Sequence, residues 1–227
     1  MAGKRKKRVR LKVKNLIILL LIFSFVLLMG YCFIMMPIDN IYINGNEILS
    51  DDEIMDMVSI NDYPSFILAN RFKMKKILLD NSYVDNVTIK KKYGNIIEFE
   101  IIEHRVVASN KDGKIILSSG EVIDNAYGIY DIPLLVNEIN NEEVYKLFVT
   151  KMRGIDKDIL RQVSEIEYSP VDVDSERFLF YMSDKNLVHV TLTKLNKIDK
   201  YNKIKDKLNG KKGIIYLDSG DFVSVIN

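Results

Sequence analysis

A nineteen-residue stretch at positions 87–105, VTIKKKYGNIIEFEIIEHR, concentrates side chains that could carry out acid–base chemistry. It contains three lysines, three glutamates and one of the two histidines of the chain. Carboxylates and histidines are the usual general acids and bases of enzymes. The same residues also fit a β-hairpin with charged side chains in water, so the elements around the stretch decide between the two interpretations.

The alternation of apolar residues favours the hairpin. A two-residue loop would place Ile89 opposite Glu100 and would mix apolar and charged side chains on both faces. A three-residue YGN loop places Ile89 opposite Phe99 and Lys90 opposite Glu98, which gives one apolar face and one charged face. We therefore predict this loop, and we interpret His104 as a structural surface residue.

The N-terminus is strongly basic and the rest of the chain is mildly acidic. Residues 1–15 carry eight basic residues and no acidic one, whereas the remainder carries 25 basic against 31 acidic residues. A short basic run attracts phosphates, which makes nucleic acid one conceivable partner. Beside an apolar segment, the run is better explained as a topology signal that contacts anionic lipid headgroups.

The apolar segment is 21 residues long, at positions 16–36, and contains no charged residue. As a helix it would be about 30 Å long, the thickness of the hydrocarbon core of a bilayer. The basic flank predicts that the N-terminus is cytoplasmic and that the body lies outside. A cleaved signal peptide and a lipid anchor at Cys32 are less favoured, because the apolar run is long and Tyr31 is not small. Since Cys32 is the only cysteine, we expect no disulfide and no thiol nucleophile in the body.

Two modules follow the apolar segment. The first has a strand with Ile41 and Ile43, a helix that begins with a capping box at Ser50 and Glu53, a second helix at about 70–81, and the hairpin. Two helices on one face of three strands is a common α+β arrangement.

The second module is rich in strands. We predict hairpins near 106–123 and across 184–186, a short buried strand at 132–136, and two closing strands. Two helices are predicted from apolar spacing, the second with Ile159, Leu160, Val163 and Ile166 on one face. A third, at 194–208, carries six lysines, which we interpret as a solvated face.

No catalytic or metal-binding motif is recognised in the sequence. His104 and His189 lack metal-ligand spacing, and there is no nucleophile elbow and no phosphate-binding loop. The chain has no tryptophan and few glycines, which is a poor composition for a sugar-binding cleft. We therefore expect no enzymatic activity, no cofactor, no metal, no small-molecule substrate and no nucleic-acid partner.

Three segments, in this order behind a single apolar helix, resemble the FtsQ/DivIB family of bacterial cell division proteins. They are INGNEILSDDEI (43–54), IIEFEIIEHRVVA (96–108) and GIIYLDSGDFVSV (213–225). The resemblance implies an α+β fold with a cytoplasmic tail (1–15), a single N-terminal transmembrane helix (16–36), a β-α-α-β-β POTRA domain (37–104) and a strand-rich β domain with flanking helices (105–227).

The resemblance also implies a function. Family members are divisome scaffolds in the cytoplasmic membrane that bind FtsL and FtsB (DivIC in Gram-positive bacteria) outside the cytoplasm, and a septal synthase complex of FtsW/FtsI type is a further candidate partner. Such a protein would be single-pass, type II and enriched at the septum. Binding would occur by strand addition at the C-terminal edge, and the candidate residues are Tyr216, Leu217, Ser219, Gly220, Phe222 and Val225. The alternative is a membrane-anchored POTRA protein of another kind, an export chaperone or a cell-wall enzyme.

Overall fold

The computed structural model describes residues 12–226, which form two compact units of mixed α and β structure. Most of the predicted basic tail, residues 1–11, lies outside the described residues. The first unit comprises the chain up to Asp80 together with Val87–Ile101, and the second comprises Asn81–Asn86 together with the chain from Ile102 onward. The predicted domain boundary near Arg105 stays a prediction.

The first helix, α1 (Val13–Ile34), is the one helix within residues 12–226 that is long and apolar enough to cross a membrane. Its 22 residues extend for about 33 Å at 1.5 Å per residue. None of its side chains is buried against the rest of the described residues, so its apolar surface is exposed. It begins three residues before the predicted segment and ends two residues earlier.

The predicted β-α-α-β-β order is confirmed. The elements are β1 (Asn40–Asn44), α2 (Asp51–Met57), α3 (Arg71–Leu79), β2 (Val84–Lys92) and β3 (Ile96–Glu103). They build a three-stranded sheet in the order β1-β3-β2, in which β1 is parallel to β3 and Ile43 lies beside Phe99.

Local sequence explains where the two short helices begin. At α2 the Ser50 hydroxyl accepts a hydrogen bond from the Glu53 N–H, and the Glu53 carboxylate accepts one from the Ser50 N–H at 2.8 Å, so the predicted capping box is present. At α3 the side chain of Asn70 accepts hydrogen bonds from two backbone N–H groups of the first turn. These caps satisfy donors that a helix start leaves without intrahelical partners.

The hairpin of β2 and β3 has the predicted three-residue turn, between Lys92 and Ile96. Its exposed face carries two ion pairs, Lys90–Glu100 at 2.6 Å and Lys92–Glu98 at 2.8 Å. Lys90 thus pairs with Glu100, whereas we expected Glu98 to lie opposite it. The residues Val87, Ile89, Ile97, Phe99 and Ile101 are buried, and the expected position of Ile89 opposite Phe99 stays a prediction.

The second unit contains a nine-stranded sheet with helices packed against it. Its strands are β4 (Val106–Ser109), β5 (Ile115–Leu117), β6 (Val122–Ile123), β7 (Leu134–Leu135), β8 (Val163–Tyr168), β9 (Arg177–Met182), β10 (Leu187–Thr191), β11 (Lys212–Tyr216) and β12 (Phe222–Ile226). Their order is β12-β11-β10-β9-β8-β7-β4-β5-β6, so β6 and β12 are the two edges.

The helices of this unit are α4 (Glu142–Arg153), α5 (Lys157–Leu160) and α6 (Tyr201–Lys207), and a 3₁₀ helix (Leu192–Lys200) leads into α6. One core joins α4 and the 3₁₀ helix to the sheet. At its centre the ring of Phe148 stacks on the ring of Phe178, with centroids 5.2 Å apart. The predicted lysine-rich helix therefore exists, although its first half is wound as a 3₁₀ helix.

The prediction of one helix carrying Ile159 to Ile166 is wrong, because α5 ends at Leu160 and Val163 begins strand β8. The register of β8 against β9 shifts between Val163 and Glu165, as it does at a β-bulge. Such a bulge turns residues three apart to the same face. Val163 and Ile166 are therefore both buried, with the spacing of a helix.

Candidate functional site: the C-terminal sheet edge

The C-terminal strand β12 is an edge of the nine-stranded sheet. It pairs with β11 in antiparallel register, with Lys212 opposite Ile226 and Tyr216 opposite Phe222. Within residues 12–226 no strand lies on its other side. An edge strand presents backbone N–H and C=O groups that another strand can pair with.

This edge lacks the features that usually protect an exposed strand. Proteins blunt edges with charged residues, proline or bulges. The sequence FVSVI of β12 has no charge and no proline, and its pairing with β11 is regular over all five residues. All five side chains are exposed, and the exposed fractions of the apolar ones range from 38% for Val223 to 50% for Phe222.

Three stacked rings fix one end of β12. The Phe222 ring stacks on Tyr216, with centroids 4.5 Å apart and planes 15° apart. The Tyr216 ring stacks in turn on His189 of β10 at 5.1 Å. Neighbouring strands place these three residues side by side, so the rings form a ladder across β10, β11 and β12.

The turn between β11 and β12 is held by two basic residues from other elements. Arg177 Nε of β9 donates to Asp218 Oδ2 at 2.8 Å, and Lys194 Nζ donates to the carbonyl oxygen of Asp218. Next to it, Lys197 pairs with Asp221 at 2.6 Å. These contacts fix the direction in which β12 leaves the turn.

The charges of this clamp are stable at neutral pH. Burial acts to raise the pKa of Asp218, but hydrogen bonds from Arg177 and Ser219 outweigh it and hold that pKa below its usual value. Burial and the charge of Arg177 lower the pKa of His189, whose Nδ1 accepts from the guanidinium at 2.7 Å. His189 is therefore neutral and Asp218 is charged near pH 7.

The six residues that sequence reasoning singled out lie together at this edge, but not all are accessible. Phe222 and Val225 lie on β12 and are exposed, as are Ser219 and Gly220 in the turn. The Tyr216 ring is half-buried in the stack. The Leu217 side chain is only 4% exposed and packs in the core, so it supports the edge from inside.

Beside the edge lies a groove of about 450 Å³ between the hairpin and the helices of residues 192–207. Apolar side chains from both elements, among them Ile204, Ile215 and Val223, form its surface. Lys197, Lys200, Lys203 and Lys207 also line it. Four of the six lysines that we interpreted as a solvated face thus border a basic, partly apolar groove, which their spacing of three to four residues could have indicated.

The sequence did not reveal the clamp. Arg177 and Asp218 are 41 positions apart, and no local pattern connects them. Only the strand order, which brings β9 and β11 to either side of β10, places them in contact.

In the stretch at 87–105 two lysines and two glutamates form ion pairs across the hairpin. The hydrogen bond from Lys92 holds the pKa of Glu98 below its usual value, and the hydrogen bond to Glu100 raises the pKa of Lys90. Both groups are charged over the neutral range, whereas general acid–base catalysis needs a pKa near the working pH.

His104 has a serine and an aspartate as neighbours, yet the three do not have the geometry of a catalytic triad. Ser118 Oγ lies 3.4 Å and Asp85 Oδ1 lies 3.9 Å from the same nitrogen, Nδ1 of His104. In a triad the serine and the acid contact different ring nitrogens. Asp85 is instead bonded to Arg153 at 2.5 Å. Within residues 12–226 no group of three or more histidine, cysteine or acidic side chains could hold a metal ion.

Comparison with known proteins agrees with this architecture. A family model described as "POTRA domain, FtsQ-type" matches residues 36–104. The cell division protein DivIB of Bacillus subtilis is 27% identical over 225 residues, which covers 95% of this chain and 85% of that protein. DivIB of Bacillus anthracis is 26% identical and covers 96% of this chain and 86% of its own length. DivIB of Listeria monocytogenes is also 26% identical, with 96% and 84% covered.

A solved structure of the major extracytoplasmic domain of DivIB from Geobacillus stearothermophilus covers 47% of this chain and 95% of its own. Its identity is 22% and its TM-score is 0.39. The fold and the family model together define a POTRA domain of the FtsQ type at residues 36–104, which follows an apolar helix. More specifically, residues 36–104 match the FtsQ-type POTRA family, and the chain as a whole is similar to the DivIB cell division proteins of Bacillus and Listeria.

Proposed function

We propose that this protein is a non-enzymatic scaffold of the division machinery that binds FtsL and FtsB/DivIC by strand addition to β12. Its role in division is that of its DivIB relatives. The observation that carries the proposal is the unprotected apolar edge of β12, which has five exposed residues and no strand beyond it within residues 12–226. Strand addition is a common way for a sheet to bind an extended partner segment.

The surroundings of the edge support the same mechanism. The ring ladder and the clamp at Asp218 hold β12 in place before a partner arrives. A preformed strand loses little conformational freedom on binding, which favours affinity. Exposed Phe222 and Val225 would contact the side chains of an added strand.

The proposed topology follows from the charge of the N-terminus. With the basic tail in the cytoplasm, α1 crosses the cytoplasmic membrane once and the two units lie outside, in a type II arrangement. Enrichment at the septum would follow from binding to FtsL and FtsB/DivIC, and a synthase complex of FtsW/FtsI type would be reached through them.

A pair of matched variants tests the proposal, because the sheet has two edges. Val225→Lys changes β12, and Val122→Lys changes β6 at the opposite edge, where the valine is almost equally exposed (45% and 43%). A charge inside the contact with an added strand would be desolvated. We expect Val225→Lys to reduce co-purification of the full-length protein with FtsL and FtsB/DivIC about tenfold or more, about 1.4 kcal/mol or more.

Val122→Lys should leave co-purification unchanged. Equal recovery of the partners with both variants would contradict strand addition at β12. A fluorescent fusion of the full chain, imaged in dividing cells, tests the broader role. A signal spread evenly over the membrane would favour a POTRA protein with another task.

A further inference from the structure

The chain immediately after α1 is tied to a loop of the first unit. The Ile38 N–H donates to the Pro64 carbonyl oxygen, and the Phe66 N–H donates to the Met36 carbonyl oxygen, both at 2.9 Å. The Ser65 hydroxyl also donates to the carbonyl oxygen of Ile34, the last residue of α1. The loop is therefore held against the end of the apolar helix.

If α1 spans a bilayer, these hydrogen bonds determine how far the loop lies from the hydrocarbon core. The apolar run ends at Met36, so Met36 lies near the boundary of the hydrocarbon core. The headgroup region beyond that boundary is about 5–8 Å thick on each side. A loop bonded to Met36 and Ile34 cannot leave that region without breaking these hydrogen bonds.

The loop and the start of α3 expose large apolar side chains. Tyr63, Ile67, Leu68 and Phe72 are 45%, 41%, 62% and 71% exposed. Tyrosine is favoured at the level of the headgroups, where its hydroxyl can stay wet while the ring is apolar, and phenylalanine and leucine insert at the acyl boundary. Exposed apolar residues are ordinary when scattered, but four within ten positions form a patch.

Two cations flank the patch. Arg71 lies over the Phe72 ring at 4.8 Å, and Lys91 lies over the Phe66 ring at 4.7 Å and donates to the Phe66 carbonyl oxygen. Within residues 12–226 neither forms an ion pair with a carboxylate at 4 Å or less. Burial and the neighbouring charge of Arg71 lower the pKa of Lys91, so the two cations repel each other and an anion between them would relieve the repulsion.

We propose that this interfacial patch, comprising Tyr63, Phe66, Ile67, Leu68, Arg71, Phe72 and Lys91, binds the membrane surface beside α1 through apolar insertion and through lipid phosphates held by Arg71 and Lys91. The patch would be a second membrane contact of the protein and would limit rotation of the first unit about α1. This inference rests on α1 spanning the membrane, and it is independent of partner binding at β12.

Charge favours a lipid surface over a protein partner. Residues 63–79 carry four basic residues and no acidic one. Basic residues near a membrane surface attract anionic lipids by about 1 kcal/mol each. The hydrogen bonds to the last residue of α1 and to the residues just after it bring the loop closest to lipid if α1 spans the bilayer.

The absence of tryptophan from the chain allows a direct test. Phe72→Trp and, separately, Leu68→Trp each introduce a single tryptophan into the patch of the full-length protein. Each variant is reconstituted into phosphatidylcholine liposomes, with and without phosphatidylglycerol, and its quenching by lipids brominated in their acyl chains is measured. The matched control is Asn44→Trp, an exposed position at the far end of β1, about 17 Å of strand beyond Asp39.

We expect the patch tryptophans to be quenched several-fold more strongly than Trp at position 44, and more strongly with phosphatidylglycerol. Adding Arg71→Ala and Lys91→Ala should weaken the quenching and remove the dependence on phosphatidylglycerol. Quenching no stronger than that of the control would overturn the proposal, and quenching unchanged by Arg71→Ala and Lys91→Ala would overturn the phosphate contact. Flotation of the liposomes tests separately whether the protein is anchored in the membrane. Protein that does not float with the liposomes would contradict the proposal, because the proposal requires α1 to span the membrane.

Discussion

The ring of Phe222 on the edge strand stacks on the ring of Tyr216 on its neighbour, with centroids 4.5 Å apart. Tyr216 also stacks on His189, so one side chain connects the edge to the interior of the sheet. An edge strand with five exposed residues has little core packing of its own. We therefore expect the order of β12 to depend on this ladder and on the clamp at its turn.

Replacing the central ring should loosen the edge. An aromatic pair contributes about 0.5–1.5 kcal/mol beyond its buried area. We expect Tyr216→Leu to accelerate amide hydrogen exchange in β12 by about 2- to 10-fold, since 1.4 kcal/mol corresponds to a factor of ten. Tyr42→Leu, at an exposed position of β1, is the control and should leave β12 unchanged. Unaltered exchange in Tyr216→Leu would show that the ladder does not order the strand.

Removing the cation of the clamp should lower stability. The side chains of Arg177 and Asp218 are 17% and 9% exposed, so Arg177→Gln leaves a carboxylate with little water to replace the lost contact. A buried group that loses its partner costs about 1–3 kcal/mol. We expect a lower melting temperature of the full chain in detergent, by about 2–4 °C per kcal/mol. Lys146→Gln, which breaks an exposed pair, should have almost no effect.

The clamp should also weaken in acid. Since the folded-state pKa of Asp218 lies below its unfolded value of about 3.9, its charge contributes stability above that pH. The contribution is lost as the pH falls through the folded-state pKa. The melting temperature should therefore fall less steeply below about pH 4 in Asp218→Asn than in the original protein. The pKa of Asp184 is also lowered, but Asp184 is present in both proteins, so its contribution to the pH dependence cancels in the comparison. Identical slopes would contradict a coupled Asp218.

Sequence patterns predicted the elements whose signals are local. The capping box of Ser50 and Glu53, the hairpin turn before Ile96 and the two closing strands depend on residues a few positions apart. The prediction failed at β8, because a bulge between Val163 and Glu165 gave a strand the apolar spacing of a helix. Periodicity alone cannot separate these cases, since both turn residues three apart to the core.

Part of the candidate site could likewise be predicted from the sequence, and part could not. Family resemblance pointed to the last two strands, to Leu217, Ser219, Gly220 and Val225, and to Tyr216 and Phe222 as aromatic anchors. The contacts that hold the edge were not predictable, because Arg177 and Lys194 meet Asp218 only through the strand order. Burial of Leu217 depends on which face of β11 meets the core, and that face is determined by neighbours far away in sequence.

The first unit contains a close backbone approach that only glycine allows. A Cβ on Gly45 would lie 2.2 Å from the carbonyl oxygen of Ile101, and the residue has φ +86°. Gly94→Ala is a matched control, because Gly94 has φ +83° but its Cβ would meet nothing closer than 3.8 Å. Both variants incur the cost of a left-handed residue, about 1–2 kcal/mol.

We expect Gly45→Ala to lower the melting temperature clearly more than Gly94→Ala. The difference between their melting temperatures reports the steric cost of a Cβ against the Ile101 carbonyl oxygen, separately from the cost of the left-handed backbone. If the two variants have the same melting temperature, the chain at Gly45 can move away from Ile101 at no cost.

A buried tyrosine ties the lysine-rich helix to the sheet beneath it. The Tyr201 side chain is 1% exposed, and its hydroxyl donates to Asp184 at 2.7 Å and accepts from Asn186 at 2.9 Å. Asn186 in turn accepts from the Gly213 N–H at the start of β11, at 2.8 Å. Burial, together with Asp184, raises the pKa of the hydroxyl, which stays protonated.

Tyr201→Phe should therefore destabilise the second unit and loosen β11. The change keeps the ring but leaves the Asn186 side-chain N–H without its buried partner, a cost of about 1–3 kcal/mol, while Asp184 keeps Lys205 and the Asn186 backbone N–H. Thermal unfolding and hydrogen exchange at the start of β11 measure the two effects. Tyr130→Phe, at a position that is 84% exposed, should match the original protein. Strand β12 pairs with β11. If Tyr201→Phe also reduced binding of the proposed partners, the buried network would support the edge strand. If stability were unchanged, water would have replaced the hydroxyl.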